Sequence, residues 1–370
     1  MTVWVYSQRV PRMNDRPRAR KGRGALSNPP PRFDLHRVSA VDDGWYQEEV
    51  PESIPTTLEP DRARGLITTN DSPDIPFDRS INPYRGCQSS CLYCYARPTH
   101  AYLGLSPGLD FETRLFYKAD AAKILEAELA RPGYTCRPIA LGVNTDAYQP
   151  LERRMQVTRS ILEVLERTRH PVTLITKHTL VLRDVDLLAS LARDNLVSVT
   201  LSVTTLDDDL KRRMEPQTAS PAARLRTVAA LNAAGIPAGV MIAPVIPALT
   251  DHEMERILEA SAAAGARRAG YTVLRLPHEV KDLFREWLAE HYPDRAAHVM
   301  SIVREMRGGR DNDPKFGARM RGTGPYAALL RNRFRLACQR LGLDSTSRDE
   351  LDTRRFCPPG PRGSQLKLSW

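Results

Sequence analysis

Three thiols stand close together in this chain of 370 residues. Cys87, Cys91 and Cys94 form a C-x3-C-x2-C array inside the stretch GCQSSCLYCYAR, Gly86 to Arg97. Tyr93 lies just before the third thiol and Tyr95 just after it. An odd number of thiols so close together cannot form a disulfide framework. Thiolates at this spacing can wrap one soft metal centre, and both iron–sulfur clusters and zinc take cysteine sulfur. A [4Fe–4S] cube wants four ligands, so three cysteines leave one iron open, where a small molecule can bind and be reduced. Structural zinc needs a fourth ligand and closed tetrahedral geometry. His100, six residues past Cys94, is a candidate for that place. Structural zinc usually comes as paired knuckles, however, and the sequence holds no second Cys-x2-Cys. The pattern favours an iron–sulfur centre.

The totals set the frame around that array. A chain of this length holds one large domain with extensions, or two domains, and a hydrophobic fraction of 41% supports a substantial core. Of six cysteines, Cys136, Cys338 and Cys357 are isolated, which argues against disulfide scaffolding. No apolar run approaches ~18 residues, so no membrane span is expected. The N-terminus lacks the apolar core of a signal peptide, and the reading is a soluble, cytoplasmic protein. The net charge of +10 raises the prior for a phosphate-rich partner such as nucleic acid.

Residues 1–65 read as a basic, proline-rich arm that is mostly disordered. Arg16, Arg18, Arg20, Lys21 and Arg23 cluster there, followed by Pro29, Pro30 and Pro31. Such a segment buries too little apolar surface to offset chain entropy. From about residue 80 the pattern becomes short apolar runs alternating with helical stretches. Strands are expected near Ser80–Tyr84 and over Pro138–Asn144, Val172–Lys177, Val197–Thr204, Ala238–Ile246 and Arg268–Leu276. Those from Pro138 onward are continuous apolar runs rich in β-branched residues, the mark of strands buried on both faces. Between them Gln156–Arg169, Arg183–Asn195 and Pro221–Gly235 read as amphipathic helices, the first with Ile161, Leu162, Val164 and Leu165 on one side. Thr250 with Glu253 is read as a capping box opening a helix over Asp251–Ala266, and Gly235 and Gly265 as helix C-termini.

Six strand–helix units imply an α/β fold, a partial parallel (β/α)6 barrel over residues 66–295, with a flat doubly wound sheet as the alternative. A basic helical extension over 296–343 and a disordered tail over 344–370 follow. In parallel barrels reactive groups sit at the C-terminal ends of strands. That rule nominates Asn144, Thr145 and Asp146, then Thr176 and Lys177, then Ser202 and Thr204, then Met241–Pro247 and Arg275. Asp146 also reads as a cap. Lys177 ends a buried strand, where a cation needs an anion.

The cysteine array, with an aromatic before its last member, resembles the signature of radical S-adenosylmethionine (SAM) enzymes. In that family the SAM amino and carboxylate groups chelate the open iron. One-electron reduction splits the sulfonium to methionine and a 5′-deoxyadenosyl radical, which abstracts hydrogen from substrate. The phrases NPYRGC, YCYARP, NTDAYQP, LITK, RDVDLL and APVIP resemble the spore photoproduct lyase-related branch of the family. NDSPDIPFDRSINPYRGC, GLSPGLDFET, LRLPHEVKDLF and MRGTGPY resemble one subgroup of it, of undetermined activity; the resemblance spans residues 20–343.

The resemblance implies a [4Fe–4S] cluster on Cys87, Cys91 and Cys94, with Tyr93 bordering cluster and SAM. It puts Asn144, Thr145 and Asp146 where relatives hold the SAM amino group, and Lys177 and Ser202 where they hold its carboxylate and ribose side. It also implies a flavodoxin- or ferredoxin-like electron donor. One departure stands out. Spore photoproduct lyases carry a hydrogen-donating cysteine at the end of the second strand, whereas this chain reads GVNTDAYQ there, and Cys136 precedes the strand. Cleavage of the spore thymine dimer by that route is therefore not expected.

The leading functional reading is a radical SAM enzyme abstracting hydrogen from nucleic acid, in repair or modification. Arg304–Arg335 supports it with nine Lys or Arg against three acids and with Phe316, Tyr326 and Phe334 interleaved, a composition suited to phosphate contact and base stacking. A solvated helical face is the plain alternative. A protein or small metabolite as substrate, or a DNA-associated iron–sulfur redox sensor without turnover, are the competing functions. The last residues, QLKLSW, resemble peptides by which bacterial replication and repair proteins bind the sliding clamp, with Gln365, Leu366, Leu368 and Trp370 making the contacts.

Overall fold

β-branched, uninterrupted apolar runs make strands with no solvated face, and the chain stacks them side by side. The computed structural model describes residues 19–34, 54–344 and 350–360. Its strands are β1 (Thr57–Pro60), β2 (Thr68–Thr69), β3 (Arg79–Ile81), β4 (Tyr84–Arg85), β5 (Arg114–Tyr117), β6 (Ile139–Leu141), β7 (Val172–Thr176), β8 (Val197–Ser202), β9 (Ala238–Val245) and β10 (Ala269–Val273). A seven-stranded sheet runs in the order β10-β9-β8-β7-β6-β3-β2. Every pair from β3 to β10 in that order is parallel, and β2 is an antiparallel edge. These six parallel strands are the expected (β/α)6 arrangement, and the sheet does not close on itself.

Helices cross between the strands over residues 121–129, 157–167, 185–193, 221–233 and 254–263. Ile161, Leu162, Val164 and Leu165 are all buried, as their spacing predicts. Gly235 and Gly265 take left-handed φ values of 76° and 85° just past their helices. Two strands end earlier than the apolar runs. β3 stops before Asn82-Pro83, because proline has no N–H to give the ladder. β6 stops before Gly142, at φ 81°, where a Cβ would lie 3.0 Å from Ala147.

The expected capping box does not form. Thr250 Oγ1 accepts from the Ile246 amide at 2.9 Å, and Glu253 accepts from Thr205 and the Leu206 amide. Residues 251–253 make a 3-10 turn and the α-helix begins at Met254. Both side chains fasten neighbouring strand ends instead of the helix start.

A second, three-stranded sheet of β1, β5 and β4 brackets the cysteine loop, which leaves β4 and returns toward β5. Within the basic arm, residues 19–34 pack over that loop. Ala25 and Leu26 are buried, and the amides of Gly24 and Ala25 donate to Glu112 at 3.1 and 2.8 Å. A Cβ on Gly24 would fall 2.0 Å from the Ser90 carbonyl, so only glycine fits this approach. Composition missed this contact because its anchors are backbone amides, which no side-chain tally registers.

After β10 the chain is helical over 280–291, 293–305, 318–321 and 324–341. Arg319 pairs with Asp74 at 2.7 and 2.5 Å, linking the segment after β10 to the turn between β2 and β3, and so bridging the two edges of the open sheet. Residues 350–360, expected to lie in a disordered tail, dock at the N-terminal ends of the strands. The Asp352 amide donates to Asn195 O and the Cys357 amide to Thr168 O, both at 2.9 Å. Phe356 meets Tyr134 and His170 with centroids 5.4 and 5.3 Å apart. An aromatic contact and paired backbone bonds outweigh the polar composition of this stretch. Residues 365–370, read as a clamp-binding peptide, lie outside the described residues.

Arg97 is fully buried and pairs with fully buried Glu112. Its remaining donors reach Cys91 O at 3.0 Å, Pro107 O at 3.1 Å and Gly108 O at 2.9 Å. Removing one partner of a buried pair strands the other charge. Arg97→Met should lower unfolding stability by about 3–5 kcal/mol in urea titrations; a loss indistinguishable from that of an exposed arginine would show that the pair does not hold the loop.

Candidate metal centre

The cysteine loop is fixed from both sides before any metal is considered. The Cys87 amide donates to Phe111 O at 2.8 Å and the Leu92 amide to Met214 O at 3.0 Å. Gln149 accepts from the Gln88 amide at 2.7 Å. Cys87 and Cys91 are buried, Cys94 is partly so, and all three are free thiols. Burial pushes Cys87 up to about 12 and Cys91 well above the ordinary thiol range, with the Lys177 cation opposing the shift at Cys91. Burial raises Cys94 as well. Left alone these groups are neutral; a metal centre's positive charge is what would make them thiolates.

The donor set fits an iron–sulfur cluster. The three sulfurs lie within electrostatic reach of one another. Three free thiols within one short loop are the donor set that such a cluster takes, each thiolate on a separate iron. His100, the candidate fourth zinc ligand, has its Nε2 turned to the main chain, while its buried Nδ1 has no partner among the described residues. Its Nε2 is 2.9 Å from Arg114 O, its ring packs edge-on to Phe111, and burial pushes its pKa down to about 4.

Lys177 follows β7. Its amide donates to Asp146 at 2.8 Å, and its Nζ lies 5.8 Å from the Tyr93 ring centroid, facing Cys91 and Cys94. Among the described residues no carboxylate pairs with that ammonium. Tyr93 is held by its hydroxyl, which donates to Glu215 and lies 3.2 Å from Thr204 Oγ1. Glu215 is fully buried, pairs with Arg224, and has its carboxyl raised by burial. Arg224 also donates to Ser202 O at 2.8 Å, so Tyr93 and Ser202 belong to one network. The Ser202 hydroxyl itself donates to Ala243 O at 3.2 Å.

The triplet after β6 divides by role. Asn144 is exposed, with its amide held by Asn82 at 2.8 Å and its side chain open. The Thr145 hydroxyl is spent on Tyr84 O at 2.9 Å. Asp146 accepts from the Tyr148 amide, Thr176 Oγ1 and the Lys177 amide at 2.9, 2.6 and 2.8 Å, locking the end of β6 to that of β7. It is thus a brace as well as a neighbour of Cys87.

Several residues at this site carry no sequence signal. Ser89 Oγ meets His178 Nε2 at 2.8 Å beside Cys87, and burial pushes His178 down to about 4, leaving it neutral. Glu215, 122 positions from Tyr93, belongs to no recognisable motif. Arg97 alone had a clue, since it closes the cysteine stretch itself.

The basic segment 304–335 is largely absorbed by the fold. Arg307 donates to the Ala318 and Arg319 carbonyls at 2.9 Å, and Arg333 pairs with Glu255 at 2.6 Å. Phe334 is buried and the Tyr326 hydroxyl donates to Asp251 at 2.6 Å. Of the three interleaved aromatics only Phe316 is exposed, at 56%, with Arg319 over its ring at 4.6 Å.

A cysteine-rich loop facing the C-terminal ends of a partial parallel barrel defines a class, and comparison with known proteins agrees. Residues 81–260 match the radical SAM superfamily. An uncharacterized protein of Mycobacterium tuberculosis is 39% identical over 232 residues, covering 62% of this chain and 68% of the relative. One of Methanocaldococcus jannaschii is 30% identical over 173 residues, 47% and 62% of the two chains. A spore photoproduct lyase complexed with dinucleoside spore photoproduct superposes with a TM-score of 0.54 at 16% identity, over 77% of this chain and 80% of that one. A variant of that lyase with bound AdoMet and the same dinucleoside superposes with a TM-score of 0.54 at 15% identity, over the same shares. These structural likenesses carry the fold.

The chain belongs to the radical SAM superfamily. It is an enzyme, and its cofactors are a [4Fe–4S] cluster and S-adenosylmethionine. No described helix is long and apolar enough to cross a membrane.

The Glu215–Arg224 pair is the brace most open to test. Glu215→Ala alone strands the Arg224 charge and should cost about 3 kcal/mol or more. Combined with Arg224→Met, the loss should be clearly less than the sum of the single losses. Additive losses in urea unfolding would show that the two do not act as a unit.

Proposed function

We propose that this enzyme abstracts hydrogen from a nucleic acid or nucleotide, with Cys87, Cys91 and Cys94 holding the cluster. The observation that supports the site most is the Lys177 ammonium, unpaired among the described residues, facing Cys91 and Cys94 of the thiol loop. When bound and reduced by a flavodoxin- or ferredoxin-like donor, the cluster supplies the electron that splits S-adenosylmethionine. Lys177 takes the carboxylate of that substrate. The open Asn144 amide faces its amino end, and Asp146 fixes the loop that presents Asn144. Ser202 lines the ribose side, and Tyr93, pinned by Glu215 and Thr204, forms a wall.

Nucleic acid as substrate is supported by the charge of +10, by exposed Phe316, and by the dinucleoside bound to the lyases that share the fold. Anaerobic turnover with perdeuterated DNA tests it. Deuterium is expected in 5′-deoxyadenosine; unlabelled product at undiminished yield would remove DNA as the hydrogen source.

Cys91→Ala should abolish the broad brown absorbance and deoxyadenosine formation together, while Cys338→Ala, in a distant helix, should leave both. Retention of four irons per chain in the Cys91 variant would defeat the assignment. Lys177→Ala should keep the cluster yet weaken SAM binding by about 1.5–3 kcal/mol, the scale of a charge-assisted hydrogen bond. Unchanged affinity by equilibrium dialysis would remove Lys177 from the site.

The terminal peptide is proposed to tether the enzyme to the sliding clamp. A labelled peptide of residues 355–370 should bind the host clamp in the micromolar range, about −8 kcal/mol, in fluorescence anisotropy. Binding should vanish on Leu368→Ala, and a flat titration would end the idea.

A further inference from the structure

Arg275 lies just past β10, at the barrel's C-terminal end, beside the cysteine loop. Its guanidinium carbon sits 5.3 Å from the centroid of Tyr95, the residue directly after Cys94. The Tyr95 hydroxyl in turn donates to Val143 O beyond β6. Tyr95 thus spans the mouth, and Arg275 lies against its ring.

The neighbouring cations are accounted for, and Arg275 is not. Arg319 holds Asp74 with two bonds. Arg307 is bonded to four carbonyls, of Ala318, Arg319, Leu274 and Val273, at 2.9, 2.9, 2.7 and 3.5 Å. Among the described residues, the one polar contact of Arg275 is Nη1 to Met320 Sδ at 3.7 Å, and its buried Nε has no partner. Arg319 and Arg307 both repel it, and burial lowers its pKa, yet a guanidinium stays charged. Burying an unpaired cation is costly, so such a group persists where a ligand completes it. The Tyr95 ring lies beside the guanidinium, whose donors form a planar fork that matches an oxyanion.

We infer that Arg275, braced by Tyr95, is the receptor for an oxyanion of the substrate, a phosphodiester if the substrate is nucleic acid, held at the mouth beside the cysteine loop. The inference rests on the reading of this mouth as the radical site, and not on the substrate being DNA. It assigns a charged recognition group to the strand farthest from β3 in the parallel sheet, opposite the Asn144 side.

The test uses the reconstituted, reduced holoenzyme with SAM in phosphate-free buffer. The reduced cluster is paramagnetic and SAM contains no phosphorus, so 31P relaxation of an added probe reports binding near the cluster. The probes are inorganic phosphate and the dinucleotide thymidylyl-thymidine. Wild type should give saturable relaxation enhancement with both. Arg275→Gln should weaken both by roughly 10- to 100-fold, the range of one charge-assisted hydrogen bond. Tyr95→Leu, which removes the brace and keeps the charge, should give a smaller loss. Cluster absorbance verifies that each variant is loaded. If inorganic phosphate binds through Arg275 but the dinucleotide binds no more tightly, the subsite stands and the nucleic-acid reading fails. Absence of saturable binding to wild type, unchanged titrations in Arg275→Gln, or an equal loss of SAM affinity in that variant would each overturn the subsite.

Discussion

The buried Arg97–Glu112 pair is the constraint on which the rest of the site depends. Taking both charges out of water is expensive, and mutual attraction alone rarely repays it. Here the remaining valences are used. Arg97 binds three carbonyls, one of them Cys91's, while Glu112 accepts two amides of the strap over the loop. An apolar pair of equal volume would leave those carbonyls and amides without partners in a water-free interior, each at a cost of about 1–3 kcal/mol. The pair therefore specifies a shape, a loop that presents three thiols inward, rather than simply adding stability.

The same device recurs around the mouth. Glu215 joins Tyr93 on the cysteine loop to Arg224 and so to Ser202 at the end of β8. Asp146 joins β6 to β7. Each buried carboxylate is a node between a strand end and a loop, which keeps the groups that face the cluster in register with the sheet. It also shows why the charge total is a weak guide to partners. Arg23, Arg97, Arg224, Arg307 and Arg333 spend their donors inside the molecule. Only the cations left over can meet a polyanion.

The sheet was legible because strands buried on both faces advertise themselves as continuous β-branched runs, and the thiol array because its ligands are local. The nodes were not legible. Tyr93 and Glu215 are 122 positions apart, and nothing in the run KRRMEPQT marks a fully buried glutamate. The Thr250–Glu253 spacing matched a local motif, but two strand ends offered better partners. The ordered strap at 19–34 and the docked stretch 350–360 carry little sequence signal, for one reason. Composition estimates buried apolar area, whereas both segments are held largely through main-chain bonds to Glu112, Asn195 and Thr168.

All six cysteines can be placed, and this bears on how a reaction at the mouth ends. Three occupy the loop; Cys136 precedes β6, Cys338 lies in the helix over 324–341, and Cys357 docks at the opposite end of the strands. The mouth thus has no thiol beyond the three in the loop. A substrate radical formed there cannot be quenched by a fourth cysteine of this chain. The hydroxyls of Tyr93 and Tyr95 beside the loop are hydrogen-bonded, Tyr93 to Glu215 and Tyr95 to the Val143 carbonyl. What the mouth does offer is charge, the unpaired Lys177 on one side and the unpaired Arg275 on the other. If Lys177 and Arg275 each take an anion as proposed, the hydrogen that closes the reaction would come from a source other than a fourth cysteine, the substrate itself and the deoxyadenosine just made among them.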